Sequence, residues 1–268
     1  MTHPPPIRRL EQLCWPQIQE QAARPGSTVI WPFGAIEQHG PHLPVGTDAL
    51  FAERVCEAVL ARLDPALPIW RLPLQSFGFS PEHRGFPGTL SLRSELVIAL
   101  VRQVGRDLAA AGFQRLVLLN AHGGQIGLLE VAARELRDDH PQLAVFPCFL
   151  WRGAEGLGAL IPEPERSQGL HAGLAETSLM LHLAPELTGP IPQADGLITA
   201  GIPVGWSLEG QAPTAWLTRE VSASGVVGDP AAASKTLGEA LFERLVEGWY
   251  GRLDALLRSD WPATNGAG

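Results

Sequence analysis

Cysteine is scarce in this chain, and the few that occur follow no pairing pattern. Cys14, Cys56 and Cys148 are odd in number, far apart and set among apolar residues. No Cys-x-x-Cys occurs, which excludes a cysteine zinc knuckle, and the spacing points to reduced thiols in a cytoplasm. No run of 18 apolar residues is present, which argues against a membrane-spanning helix. Blocks of Lys and Arg are missing too: 20 basic residues stand against 28 acidic ones for a net charge of −8, so the basic footprint of a nucleic-acid binder is absent. The opening "MTHPPPIRRLEQLCWPQ" lacks the apolar segment of a secretory signal. No Gly-x-Ser-x-Gly elbow of a serine-nucleophile hydrolase appears.

What is present is a chain of 268 residues, 45% hydrophobic, enough for a sizeable core. Its 29 Gly and 24 Pro read as many tight loops and not as disorder. "TVIWPF" (28–33), "PIWRLPL" (68–74), "RLVLLN" (115–120) and "QLAVFPCFL" (142–150) are apolar runs of strand length. Between them, residues 49–63, 94–111 and a stretch through Leu129, Ala132, Ala133 and Leu136 repeat apolar positions at helical spacing, with Ser94 as an N-cap and Gly112 as a stop. "ETSLMLHLA" reads as another helix, residues 189–214 show no periodicity, and Asp229–Pro230 opens a last helix through Leu237, Leu241, Leu245, Trp249 and Leu253. Strands separated by helices imply right-handed crossovers and an α/β fold with a mostly parallel sheet. We expect one domain over 9–257, with a flexible N-terminus at 1–8 and a tail at 258–268.

The stretch "GAIEQHGPHLPVGTDA" (34–49) gathers Glu37, His39, His42 and Asp48 directly after the first strand. Asp and Glu are costly to bury unless paired or metal-bound. In parallel α/β sheets ligands collect outside the carboxyl ends of the strands, and a second strand end, "NAHGGQ", brings His122. "HAGLAETSLM" (171–180) adds Glu176 and His171. Carboxylate and imidazole ligands without thiolates suit zinc, manganese or ferrous iron, and five of them with one bridging Asp fit a two-metal site. Each residue alone has a plainer reading. Glu37-x-His39 describes a polar loop, His122 a helix cap, and Glu176 a first-turn acid favoured by the helix dipole. His42 reads as a hydrogen-bonding residue, His83 as solvated or substrate-facing, His182 as structural, and His3 and His140 as surface residues. The conjunction favours the metal site.

Together "GAIEQHGPHLPVGTDA", "NAHGGQ", "EHRGFPGTLSL", "HAGLAETSLML" and "SGVVGDPAAAS" resemble the creatininase (creatinine amidohydrolase) family over roughly residues 9 to 250. The resemblance implies a three-layer α/β/α sandwich, two divalent metal ions per chain (Zn, Mn or Fe) and hydrolysis of an amide-type C–N bond. It implies that Glu37 and His39 each bind one metal, that Asp48 bridges both, and that His122 is a further ligand. Creatinine-hydrolysing members carry a ligand Glu two residues beyond that His. Here the position is Gly124, so the missing carboxylate is assigned to Glu176, as in relatives of the His-Gly-Gly subgroup, and creatinine is not expected to be the substrate. The expected nucleophile is a metal-bridged hydroxide, since a water between two cations is acidified from about 15.7 towards ~7. Gly123 and Gly124 N–H groups and His83 are expected to face the substrate or its oxyanion, and the resemblance implies that His171 serves the leaving nitrogen as acid–base catalyst. The expected substrate is a small cyclic or formyl amide. The alternatives are a peptidase, which the family also contains, and a non-catalytic metal-binding assembly protein. The family resemblance further implies a homo-oligomer, typically a hexamer, for which Trp206 and Trp216 are candidate contact residues.

Overall fold

The structure is a computed structural model, and it describes residues 8–193 and 202–262. Residues 1–7 of the expected mobile N-terminus, His3 among them, and part of the aperiodic stretch therefore lie outside the described residues, whereas Arg8 is buried and its guanidinium donates to Ile69 O (3.1 Å) and Asp64 O (2.6 Å).

Four strands form one parallel sheet: β1 (Thr28–Phe33), β2 (Ile69–Arg71), β3 (Arg115–Asn120) and β4 (Ala144–Phe149), in the order β2-β1-β3-β4. Every residue of β1 and β3 is buried, as continuous apolar runs covered on both faces require. The two-residue period sorts their side chains. Ile30, Val117 and Leu119 join one apolar cluster, and Val29, Trp31, Phe33, Leu116 and Leu118 join the other.

The first cluster is roofed by α2 (Thr47–Arg62), α6 (Leu174–Leu183) and α8 (Lys235–Leu257). The second is roofed by α3 (Ser94–Ala111), α4 (Ile126–Asp139) and the end of α1 (Trp15–Ala22). Helices on both faces of a parallel sheet make the three-layer α/β/α sandwich. Two one-turn helices, α5 (Glu165–Gln168) and α7 (Thr218–Val221), lie in the long connections.

Several details depart from the sequence expectation. Arg93, not Ser94, is the N-cap of α3, and Ser94 Oγ bonds the neighbouring Glu95 instead. The last helix starts at Lys235, where Ser234 Oγ accepts the N–H of Leu237. Asp229 instead closes a turn, accepting from Ala231 N at 2.9 Å, because Pro230 begins a turn and not a helix. Gly112 ends α3 as expected, at a φ of 100° that suits only glycine. Cys14 is exposed, and all three thiols are free. No helix among the described residues is long and apolar enough to cross a membrane.

The strand order places the functional loops. From β1 the chain crosses to β2 on one side, then returns past β1 to β3 on the other. The switch point, where such sheets open a crevice, is thus between the carboxyl ends of β1 and β3.

Candidate metal centre

The loop leaving β1 carries Glu37 and His39 into that crevice, and β3 delivers His122 beside them. Asp48 arrives on the first turn of α2, where the helix dipole favours a carboxylate. Gly34 makes this possible: a Cβ there would lie 2.4 Å from Cα of Ala49, so only glycine lets α2 start against the end of β1. Gln125 ties the two strand ends together, its amide donating to Gly34 O (3.1 Å) and Asn120 Oδ1 (2.8 Å).

Glu37, His39, Asp48, His83, His122 and His171 are all buried. Three of the imidazoles share one arrangement, an outer N–H donating to a backbone carbonyl while the inner nitrogen faces carboxylates. His39 Nδ1 bonds Glu37 O (3.1 Å), leaving Nε2 3.6 Å from Asp48 Oδ1. His122 Nε2 bonds Phe79 O (3.0 Å), leaving Nδ1 3.2 Å from both Glu37 Oε1 and Asp48 Oδ2. His171 Nε2 bonds Gln38 O (2.7 Å), leaving Nδ1 3.9 Å from Glu37 Oε1. An outer hydrogen bond that fixes the ring with its inner nitrogen free is how metal-ligating histidines are held.

Asp48 thus offers one oxygen towards His39 and the other towards His122, the disposition of a bridging carboxylate. Glu176, in the first turn of α6, accepts the N–H of Ala172 at 2.6 Å. Ala172 has a φ of 52°, a strained value for a residue with a side chain, held beside His171.

The residues fit a metal on their own geometry. Both oxygens of Glu37, Nε2 of His39 and Oδ2 of Asp48 are buried without a hydrogen-bond partner. Four buried polar atoms left so in one place would be a heavy penalty unless something binds them. Donor atoms of Glu37, His39 and Asp48 lie within 4.8 Å of one another, as do those of His39, His171 and Glu176, and of Glu37, Glu82 and His122.

The charges respond accordingly. Burial opposes protonation of His39, but Asp48, Glu176 and Glu37 outweigh it and carry the imidazole up to about 9. Burial likewise opposes a proton on His122, yet Glu37, Asp48 and Glu82 raise it well above its ordinary range. Burial favours the neutral acid at Asp48, but His39 and His122 hold it far below the usual carboxylate range. Glu176 is pushed up to about 7 by burial. His171 goes the other way, held well below its ordinary value by burial and then by His83 and His39.

His83, read from sequence as solvated or substrate-facing, is buried and lies along the cavity wall. The Gly40 N–H bonds Gln38 Oε1, which turns the Gln38 amide nitrogen onto His83 Nδ1 (2.9 Å) and aims His83 Nε2 at Glu37 (3.4 Å). Thr218 on α7 also contacts Nδ1, at 2.7 Å. His42 bonds Thr177 at 2.8 Å, and the His182 ring lies tilted against Phe242, their centroids 5.4 Å apart. Trp216 lines the cavity 6.3 Å from His83, whereas Trp206 is 57% exposed.

Sequence reasoning missed Glu82, Gln38 and Thr218. For Glu82 a signal existed: an acid directly precedes His83 in "SPEHRGFPGT". The cluster opens into a cavity of about 790 Å³, walled by Gly123, Gly124, Phe149, Trp151, Leu157 and Trp216 among others.

The family profile of creatininase, described as creatinine amidohydrolase, matches residues 11–253. The chain belongs to the creatininase family. It is 34% identical over 233 residues to a mycofactocin precursor peptide peptidase of Mycobacterium ulcerans (strain Agy99), covering 84% of each. It is 30% identical over 190 residues to a creatinine amidohydrolase of Pseudomonas putida, covering 66% of this chain and 72% of the relative. A solved creatinine amidohydrolase (creatininase) superposes with a TM-score of 0.75 at 25% identity, over 94% of this chain and 99% of that one. As a creatininase-family protein, the chain is a metal-dependent amidohydrolase, and the family uses metal ions.

Proposed function

We propose that the protein hydrolyses an amide C–N bond with two divalent metal ions, Zn, Mn or Fe, and that its substrate is larger than creatinine. The carrying observation is the set of orphaned buried donors on Glu37, His39 and Asp48, with His122 opposite. Glu37 and His122 would hold one ion, His39 and Glu176 the other, and Asp48 would bridge them. Bound there, the pair of ions supplies an activated water and polarises the amide carbonyl.

The chain's own residues do the rest. Gly123 and Gly124 line the cavity, and their N–H groups would serve an oxyanion formed there. His171, its Nε2–H fixed on Gln38 O and its proton affinity lowered, would take a proton from the attacking water at Nδ1 and deliver it to the leaving nitrogen. His83 holds Glu37 and so orients a ligand.

The size of the cavity favours a peptide-like substrate over a small lactam or formamide. At about 790 Å³ and mostly apolar, it matches sites that enclose drug-sized molecules. The peptidase names of similar relatives support the same choice. A cytoplasmic homo-oligomer, a hexamer in the family's manner, completes the proposal. Light scattering that returned a 28.8 kDa monomer at micromolar concentration would remove the assembly part.

The test of function is elemental analysis of chelator-stripped, reloaded protein together with a panel of peptides, formamides, lactams and creatinine. Two ions per chain and metal-dependent turnover of a peptide are expected. Absence of tight metal, or creatinine as the best substrate, would refute the corresponding part. Two bound ions with no amide turned over would leave the non-catalytic reading standing.

A further inference from the structure

The crevice holds one more carboxylate than the assignments above use. Glu82 lies in the one-turn segment Pro81–His83. Its Oε1 is 3.2 Å from His122 Nε2 and 3.9 Å from His83 Nε2, with only 15% of the side chain exposed. Glu82 also fills a particular space. A Cβ on Gly124 would lie 2.0 Å from its Oε1 and 2.9 Å from its Cδ. It would also lie 2.6 Å from His122 Nε2, so the Glu82 carboxylate, as placed, uses space beside His122 that Gly124 leaves open.

We propose that Glu82, on the loop between β2 and α3, is a metal ligand in addition to Glu176. It binds the ion held by Glu37 and His122, while Glu176 serves the ion held by His39. Three observations converge on this. Donor atoms of Glu37, Glu82 and His122 form a set within 4.8 Å of one another. Nε2 of His122 carries a single N–H and lies 3.0 Å from Phe79 O and 3.2 Å from Glu82 Oε1, so the carboxylate only shares that donor with a backbone carbonyl. Charge balance points the same way: Glu37, Asp48, Glu82 and Glu176 carry four negative charges, matching two dications in a site where an uncompensated charge is costly. The inference rests on the two-metal reading and refines which residue serves which ion.

The experiment is calorimetric titration of chelator-stripped protein with Mn²⁺ for the wild type, Glu82→Gln, Glu176→Gln and the double variant. Glu82→Gln keeps the shape and removes the charge. It should weaken one of two Mn²⁺ sites by at least ~100-fold and leave the other within a few-fold. Glu176→Gln should weaken the complementary site, and the double variant both. Glu82→Asp, which retains the carboxylate, should recover at least ~10-fold of the loss, showing that the effect is not a folding defect. Orienting contacts to a ligand typically contribute ~10–100-fold, so a loss below ~100-fold overturns ligation. So does a double variant no worse than Glu176→Gln. If the wild type itself binds fewer than two Mn²⁺, the two-metal reading fails first. If the wild type and Glu82→Gln both bind two alike, only the Glu82 assignment fails.

Discussion

Loading the centre should expel protons, and the number follows from the cluster's electrostatics. A metal needs the inner lone pairs of His39 and His122, and the surrounding carboxylates place protons on both. His39 is raised to about 9, and His122 also lies well above its ordinary range. Near pH 7.5, binding two ions should therefore release close to two protons. As pH falls through about 7, Glu176 becomes protonated and adds a third. Each displaced proton changes affinity tenfold per pH unit, about 1.4 kcal/mol.

The sign for stability is opposite to that for affinity. A group whose folded value is raised contributes stability that is complete below its ordinary value and lost as pH rises through the raised one. For His39 that window is 6.5 to about 9, and for Glu176 it is 4.5 to about 7. His42, His83 and His171, held below their ordinary range, act with the opposite sign below pH 6.5, so the stripped protein should lose stability from about pH 6.5 to 9, while metal affinity climbs over the same range. Calorimetry with Mn²⁺ in two buffers of different ionisation enthalpy counts the protons directly. Fewer than one proton released at pH 7.5 would show that both imidazoles are neutral there and that the charge argument is wrong.

Three further outcomes follow from the geometry. Asp48→Ala should weaken both metal sites, because its two oxygens face His39 and His122 separately; loss of one ion alone, read by elemental analysis, would contradict bridging. His171→Ala should retain both ions and lower kcat by ~10²-fold or more; loss of an ion would make His171 a ligand instead. Trp249→Ala, at a buried position whose Nε1 bonds Leu150 O at 2.8 Å, should cost ~3–5 kcal/mol in urea unfolding without changing the number of ions bound.

The sequence alone determined the layered fold and named most of the residues that the fold gathers at the crevice. Apolar runs of strand length and helices repeating every three to four residues are local signals, and β1, β3 and α4 lie where those signals put them. Glu37, His39, Asp48 and His122 were legible because each follows a strand end or opens a helix, and connectivity alone sends such positions to one rim. Tertiary structure decided what sequence distance hides. Glu82 and Gly124 are 42 residues apart, and only the loop between β2 and α3 folding over the end of β3 shows that one occupies the space the other leaves. The true start of α8 also depended on packing: Asp229–Pro230 and Ser234 are both competent helix openers, and the chain enters the helix at Ser234, whose N–H bonds Ser178 Oγ on α6. Local chemistry proposes caps and ligands from the side chain's own preferences. Which of them is used depends on shape and burial, and these exist only once distant segments have come together.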